Sequence, residues 1–340
     1  MVMPRALNFL LCAGTAAAAL LLAGCSKSDT AAAPAPGAAP AAKELHLAFI
    51  PKGMQNVYWK SVQSGMLQAQ KEAQDAGTKV TIDWNGPPNE GDRAAQISLM
   101  ENYVAQKLDG IILCPMEFDA LVAPSQKAHL AGIPLVIVDS PLDYDKTVAF
   151  VGTGNKQAGV MAGKELAREL GDKGNVLMMR FMPGSASTNQ REEGFLDEMK
   201  NHPGITILSS DNFAGDDREK AFDKASNLLT TYPTVQGVFT PNEPSTNGML
   251  LALEKAGLAG KVNFVGFDGG AANMAGLAAG HINALVLQDP YTMGYQGVKT
   301  MLAYLAGQKV PTNIDTGTVL LTKDNQDTPA VKTLLAHTVM

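Results

Sequence analysis

Cysteine and histidine are both scarce in this chain of 340 residues. The three cysteines are Cys12, Cys25 and Cys114. Because the first two lie at the N-terminal apolar run described below, Cys114 has no partner for a disulfide. It follows an apolar stretch, where a free cysteine is most often a small buried hydrophobe. The five histidines are scattered without metal-ligand spacing, so we expect neither a metal site nor a cofactor.

The chain also lacks an excess of positive charge. Its formal net charge of −6 makes nucleic acid or an anionic membrane face an unexpected partner. Enzyme motifs are missing as well. The Gly152–Gly154 stretch lacks the spacing of a dinucleotide fingerprint, and Gly163–Lys164 lacks the upstream glycine of a phosphate loop. No nucleophile elbow surrounds Ser185 or Ser187, which we interpret as helix-cap residues, so we expect a protein that is not an enzyme.

Long apolar runs are limited to one, Phe9–Leu22, and no later run is long enough to cross a bilayer. Arg5 precedes this run, and Ala23, Gly24 and Cys25 follow it, which is the pattern of a lipoprotein signal. We expect residues 1–24 to be removed, Cys25 to carry acyl chains, and residues 25–43, rich in Ala and Pro, to form a tether. The protein is then exported to the periplasm or cell surface and anchored to a membrane. An ordinary cleaved signal that leaves Cys25 as a thiol is the alternative.

Short apolar runs alternate with longer helical patterns from about residue 45 onward. The strand-like runs begin with Leu47–Ile50 and continue through Val80–Trp84 and Ile111–Cys114 to Leu285–Leu287. This alternation predicts an α/β fold with parallel sheets and flanking helices.

A loose internal duplication relates Gly110–Asp139 to Gly237–Asp268. Each copy contains a strand, a proline, a helix ending in Ala-Gly, a second strand and a final aspartate. Two similar lobes are therefore expected, each with an acid at the carboxyl end of a strand, where open parallel sheets bind ligands. Capping of nearby helices is the alternative for either acid. A pair of aspartates could also serve glycoside hydrolysis.

Several short motifs occur in an order that resembles one known family, the periplasmic sugar-binding proteins of ABC importers, of the ribose-binding type. The resemblance covers about Leu47–Leu321. Its motifs are Ile50-Pro51-Lys52, Asn56-Val57-Tyr58-Trp59, Val138-Asp139-Ser140, Arg191-Glu192-Glu193-Gly194-Phe195, Pro241-Asn242-Glu243, Val265-Gly266-Phe267-Asp268-Gly269 and Gln288-Asp289-Pro290.

The resemblance implies two Rossmann-like lobes joined by a three-segment hinge, the type I periplasmic binding protein fold. The N-terminal lobe would comprise residues 44–153 and about 289–315, and the C-terminal lobe residues 154–288 and about 316–340. The crossings would lie near Thr153, Gln288 and Asp315. The implied function is capture of a monosaccharide or related polyol by a monomer, with hinge closure and delivery to an ABC permease in the inner membrane.

The ligand site implied by the resemblance suits the chemistry of a sugar, which presents many hydroxyls on a ring with apolar faces. Carboxylates and planar donor groups would form hydrogen bonds with the hydroxyls, and aromatic rings would pack against the apolar faces of the sugar. The expected ligand-binding residues are Lys52, Asn56, Tyr58, Trp59, Asp139, Ser140, Arg191, Asn242, Asp268 and Gln288. Other roles remain open: core packing for the two aromatics, an N-cap for Asn56, solvation for Lys52, and a surface ion pair with the following glutamates for Arg191.

Two positions depart from the ribose-binding pattern. Ser140 stands where ribose-type proteins carry an arginine, and Lys52 stands where they carry a small hydroxyl residue. The Phe49–Lys52 stretch is instead similar to receptors for the furanosyl autoinducer. D-Ribose itself is therefore not the expected ligand. A sensory protein that binds this autoinducer or a sugar and signals to a chemoreceptor or kinase is the alternative function.

Overall fold

A computed structural model describes residues 44–337, so the predicted signal peptide, Cys25 and the tether lie outside the described residues. Strands and helices alternate along this part of the chain. The strands are β1 (Leu45–Ile50), β2 (Val80–Trp84), β3 (Gly110–Leu113), β4 (Leu135–Val138), β5 (Ala149–Gly152), β6 (Gly174–Arg180), β7 (Ile205–Phe213), β8 (Gly237–Phe239), β9 (Asn263–Phe267), β10 (Ala284–Gln288), β11 (Asn313–Asp315) and β12 (Thr318–Thr322). The helices are α1 (Val57–Asp75), α2 (Arg93–Gln106), α3 (Val122–Leu130), α4 (Asn155–Leu170), α5 (Ala186–Met199), α6 (Arg218–Thr231), α7 (Glu243–Lys255), α8 (Ala271–Ala279), α9 (Pro290–Leu305) and α10 (Pro329–Ala336).

The strands form two sheets of six strands each, with the orders β11-β5-β4-β3-β1-β2 and β12-β10-β9-β8-β6-β7. All pairs are parallel except β10 with β12, which is antiparallel. The predicted α/β class with two Rossmann-like sheets is therefore confirmed. We refer to the first sheet and its helices as the first lobe, and to the second sheet and its helices as the second lobe.

The central strands are buried because helices cover both faces of each sheet. In the first lobe, β3 and β4 are fully buried along their length, and Cys114 lies at the end of β3 in the same core. Burial raises the pKa of the Cys114 thiol, which keeps it protonated and unreactive. The interpretation of this cysteine as a small core residue is therefore confirmed.

The chain passes from one sheet to the other after β5, after β10 and after β11. Helix α9 returns to the first lobe after β10 and packs closely against α1. A Cβ atom at Gly65 would lie 1.9 Å from the carbonyl oxygen of Tyr291, so only glycine permits this approach. Three polypeptide segments thus connect the lobes at one place.

The internal duplication has a direct counterpart in the backbone. Asp139 follows β4 with φ 69°, and Asp268 follows β9 with φ 67°. A left-handed conformation is uncommon for residues other than glycine, and its presence at both positions shows that the two turns are equivalent. Each turn places an aspartate at the carboxyl edge of its sheet.

Candidate functional site

A cavity lies between the lobes, at the carboxyl ends of the strands of both sheets. It encloses about 360 Å³ of space between the protein atoms, part of it open to solvent. The lining residues are Lys52, Asn56, Tyr58, Trp59, Glu90, Asp139, Phe181, Ser185, Ser187, Thr188, Arg191, Asn242, Glu243, Pro244, Asp268 and Gln288.

All of the predicted ligand residues except Ser140 line this cavity. Ser140 lies immediately behind the lining, where its hydroxyl accepts a hydrogen bond from Lys52 at 2.8 Å. Residues from distant parts of the sequence therefore meet at one place.

On the first lobe, Asp139 is held by two neighbours. The Lys52 ammonium forms an ion pair with its Oδ2 at 2.6 Å, and the Tyr58 hydroxyl donates to its Oδ1 at 2.7 Å. Lys52 is 5% exposed, so it is not a solvated surface lysine. Its charge is neutralised within the lobe, and its other two hydrogen bonds go to the hydroxyls of Ser140 and Ser187.

Lys52, Ser140 and Ser187 form a direct connection across the cleft. Ser140 Oγ donates to Ser187 Oγ at 2.7 Å, and Lys52 Nζ donates to the same oxygen at 3.3 Å. The backbone N–H of Ser187 donates back to Ser140 Oγ at 3.3 Å. These bonds join the start of α5 in the second lobe to the end of β4 in the first. The lobes are in contact, so this is a closed form.

The interpretation of Ser185 and Ser187 as helix-cap residues needs correction. Ser185 occupies the N-cap position of α5, but its side chain caps no backbone N–H. Its hydroxyl is buried and has no hydrogen-bond partner among the described residues. Ser187 lies two residues further along the chain and bonds across the cleft instead. Both face the cavity because the turn before α5 lies at the carboxyl end of β6.

Glu90 is a cavity residue that the sequence analysis missed. It accepts hydrogen bonds from Asn56 Nδ2 at 2.5 Å and from Trp59 Nε1 at 2.9 Å, both at Oε1. Asn56 occupies the N-cap position of α1 without a side-chain cap bond, so its amide serves Glu90 instead. Trp59 both packs in the core and lines the cavity, which combines the two roles considered for it.

On the second lobe, Arg191 is the most extensively bonded side chain of the cavity. It is 2% exposed and donates to Asn155 Oδ1 at 2.9 Å, to the Pro241 carbonyl at 2.9 Å and to Gln288 Oε1 at 2.5 Å. Its guanidinium carbon lies 4.6 Å from the centre of the Phe267 ring. The alternative of a surface ion pair is therefore wrong.

Asp268 and Asn242 complete the second-lobe wall. Asp268 accepts from Gln288 Nε2 at 2.8 Å and from the backbone N–H of Glu243 at 3.0 Å, so it caps the start of α7 from a neighbouring turn. Asn242 is the N-cap of α7 and accepts from the Ser245 N–H at 3.4 Å. Both residues therefore cap the start of α7 and also line the cavity.

Three acids of the cavity, Glu90, Glu243 and Asp268, prefer their protonated forms more than isolated carboxyl groups do. Burial raises the pKa of Asp268 and of Glu90. Burial, together with the nearby charges of Asp268 and Glu90, raises the pKa of Glu243 to about 7. A ligand that donates hydrogen bonds would stabilise the ionised forms of these acids.

Glu90 belongs to a set of cavity residues that was not predicted. The others are Phe181, Ser185, Ser187, Thr188, Glu243 and Pro244. Glu243 is part of the Pro241-Asn242-Glu243 motif but was not predicted to bind a ligand, and Ser185 and Ser187 were predicted only as helix-cap residues. Glu90 lies in the irregular stretch between β2 and α2. The one sequence feature that could have indicated it is the end of strand β2 before it. Within residues 44–337, no cluster of histidine, cysteine or carboxylate side chains is arranged to hold a metal ion.

Two lobes of doubly wound α/β structure, hinged by three segments around a polar cavity, define a two-lobed ligand-binding protein. A sequence model of the periplasmic binding protein domain matches residues 47–309. The chain therefore belongs to the periplasmic binding protein family, whose members are exported proteins.

Known proteins of similar sequence and structure bind sugars. The D-allose-binding periplasmic protein of Escherichia coli is 31% identical over 273 residues, which cover 78% of this chain and 86% of that protein. The carbohydrate transporter solute-binding protein of Agrobacterium radiobacter, solved with D-arabinose, has a TM-score of 0.81 and 35% identity, covering 86% of this chain and 98% of its own. A solute-binding protein of Agrobacterium vitis with bound D-fucose has a TM-score of 0.81 and 35% identity, covering 84% and 98%.

Proposed function

We propose that this protein captures a monosaccharide or related polyol for an ABC importer. The observation that carries the proposal is the composition of the cavity wall. Planar polar groups converge from both lobes, with Asp139 on one side and Arg191, Asn242, Asp268 and Gln288 on the other. Such groups match the hydroxyls of a sugar ring in number and geometry. The sugar-binding relatives described above support the same ligand class.

The ligand acts by closing the cleft. Because Asp139 and Asp268 stand on different lobes, a sugar that contacts both of them stabilises only the closed form. Moving the population from 1:99 to 99:1 requires roughly 10⁴-fold tighter binding to the closed form. The segments near Thr153, Gln288 and Asp315 act as the hinge. The closed form is then the one that the permease in the inner membrane recognises.

The hinge segments carry few bonds that oppose bending. Thr153 Oγ1 donates to Gln288 Oε1 at 3.0 Å, which ties two of the crossings together. Asp315 accepts from the backbone N–H of Gly154 at 3.3 Å and of Gly317 at 2.9 Å. Gly317 has φ 78°, a conformation that glycine adopts without strain. These contacts fix the path of the chain while leaving the lobes free to rotate.

The protein acts as a monomer that is held at a membrane by acyl chains on Cys25. The support is the apolar run Phe9–Leu22 with its small residues before Cys25. Within residues 44–337, no helix is both long and apolar enough to span a bilayer. Several acyl chains, each methylene contributing about 0.8 kcal/mol, would anchor the chain stably. Mass spectrometry of the purified protein tests this: an N-terminal peptide that begins at unmodified Cys25, or at any other residue, refutes the anchor.

A thermal-shift screen of residues 26–340 tests the function. The panel contains D-arabinose, D-fucose, D-allose, D-ribose, D-glucose, D-galactose, myo-inositol, sugar acids and the furanosyl autoinducer. A ligand at a hundred times its dissociation constant adds about 2.7 kcal/mol to the unfolding free energy, which raises the melting temperature by several degrees. A neutral sugar as the strongest ligand supports the importer proposal. The autoinducer as the only ligand would favour the sensory alternative, and no response to any compound would contradict both.

A further inference from the structure

The charges that line the cavity are not balanced. Four of the lining side chains are carboxyl groups, whereas two are cationic. One cation, Lys52, is already paired with Asp139. The other, Arg191, donates its hydrogen bonds to amide and carbonyl oxygens and not to a carboxylate. Across residues 44–337, neither Glu90 nor Glu243 has an ion-pair partner, so the cavity carries surplus negative charge when its acids are ionised.

The two surplus acids stand on opposite lobes. Glu90 lies in the first lobe between β2 and α2, and Glu243 begins α7 in the second lobe. Closure brings both to the wall of one cavity. Both hydrogen bonds that Glu90 accepts go to Oε1, so Oε2 has no donor among the described residues. Besides Glu90, the charged groups around Glu243 are Asp268 and the more distant Arg218.

A second observation in the same cavity favours a polar ligand. The Ser185 hydroxyl is 2% exposed, lines the cavity and has no hydrogen-bond partner among the described residues. A buried hydroxyl without a partner costs about 1–3 kcal/mol, which a ligand hydroxyl or amine would recover. The ionised carboxylates of Glu90 and Glu243 can only accept hydrogen bonds, so they favour a ligand group that donates hydrogen bonds and carries no negative charge. The Ser185 hydroxyl can pair with either a donor or an acceptor.

We propose that Glu90 and Glu243 act as a charge filter, so that the cleft accepts neutral and amino-substituted sugars and excludes sugar acids. This proposal rests on the sugar-binding function proposed above and specifies its substrate class. An anionic ligand would add to a surplus negative charge, and Lys52 cannot offset it because Asp139 already neutralises that ammonium. An ammonium group on the sugar would be attracted by the same surplus.

Two matched ligand series test the filter by calorimetry at pH 8, where Glu243 is ionised. One series is D-galactose, D-galactosamine and D-galacturonate, and the other is D-glucose, D-glucosamine and D-glucuronate. We expect the acid of a series to bind at least about tenfold more weakly than its neutral parent, because one uncompensated like charge costs on that order. The amine should bind at least as tightly as the neutral parent.

The variants Glu90→Gln and Glu243→Gln should each reduce the ratio of neutral to acidic affinity by several-fold. Glu101→Gln is the matched control, because Glu101 forms a surface ion pair with Lys127 outside the cavity. Should Glu90→Gln disturb its loop, Glu243→Gln tests the proposal alone, since it leaves the bonds from Asn56 and Trp59 in place. An acid that binds as tightly as its parent, or a ratio unchanged in both variants, overturns the filter while the sugar-binding function survives. If no sugar of any charge binds, the proposed function fails and the filter with it.

Discussion

The connection across the cleft leads to a quantitative prediction for Ser187→Ala. The hydroxyl of Ser187 accepts from Ser140 Oγ at 2.7 Å and from Lys52 Nζ at 3.3 Å, both in the other lobe. A neutral hydrogen bond contributes about 0.5–1.5 kcal/mol net, and one from a charged donor about 1.5–3 kcal/mol. For the bond from Lys52 we take the low end of the range for charged donors, because it is the longer of the two bonds. The substitution should therefore destabilise the closed form by about 2 kcal/mol and leave each lobe intact.

This loss reduces the apparent affinity for a sugar, because the binding-competent closed form becomes less populated. About 2 kcal/mol corresponds to roughly thirty-fold weaker binding. Calorimetry with the sugar that gives the largest shift in the screen measures the change, and urea unfolding measures the stability of the lobes. Ser226→Ala is the control, since its hydroxyl bonds within α6 in the same lobe, to the Phe222 carbonyl at 2.8 Å. An affinity of Ser187→Ala within twofold of the wild type would refute the role of this connection in closure.

Three further predictions concern buried groups. Arg191→Met should abolish sugar binding and lower the unfolding free energy by about 3 kcal/mol in urea titrations, because three oxygen acceptors lose a charged donor. Gly65→Ala should lower it by about 1–3 kcal/mol or more, since the new Cβ would lie 1.9 Å from the Tyr291 carbonyl oxygen. The raised pKa of Glu243, about 7 in the folded protein, should reduce stability as the pH rises from about 4.5 to 7. The folded form binds more protons than the unfolded chain in this window, so the loss due to Glu243 is up to about 3 kcal/mol. Urea titrations at pH 5 and 8 should show a smaller loss in Glu243→Gln than in the wild type, because only the other buried acids still titrate.

Each of these three predictions has an outcome that contradicts it. Wild-type affinity in Arg191→Met would remove the arginine from the ligand site. An unchanged unfolding free energy in Gly65→Ala would mean that α1 and α9 can separate without loss of packing. A pH dependence of stability that is identical in the wild type and in Glu243→Gln would show that this carboxyl group titrates normally in the folded protein.

Most strands were predictable because each is a short apolar run with turn residues on both sides. Burial on both faces of a parallel sheet requires such runs, so β3 (Gly110–Leu113) and β4 (Leu135–Val138) carry a clear sequence signal. Strand β11 was missed for the opposite reason. Asn313–Asp315 is short, polar and largely exposed, and its pairing with β5 depends on contacts that no local pattern encodes.

The candidate site was predictable where a side chain ends a strand. Asp139 and Asp268 follow apolar strands in a repeated unit, and that repetition indicated a shared position at the edge of each sheet. Glu90 was missed because it lies in an irregular stretch without periodicity. Its place in the cavity depends on the bonds from Asn56 and Trp59, which come from α1 more than thirty positions earlier. Tertiary contacts of this kind cannot be recognised from the local sequence pattern.

The equivalence of the two lobes ends at the side chains that surround the two aspartates. Both aspartates have the same backbone conformation, with φ 69° and 67°. Asp139 forms an ion pair with Lys52 and accepts a hydrogen bond from the Tyr58 hydroxyl. Among the described residues, the Asp268 carboxylate accepts hydrogen bonds from the Gln288 amide and from the Glu243 backbone N–H. The first acid therefore has an ion-pair partner, while burial raises the pKa of the second. A duplicated scaffold thus supplies two acids at fixed positions, and the neighbours that differ between the lobes decide which chemical groups each acid can bind.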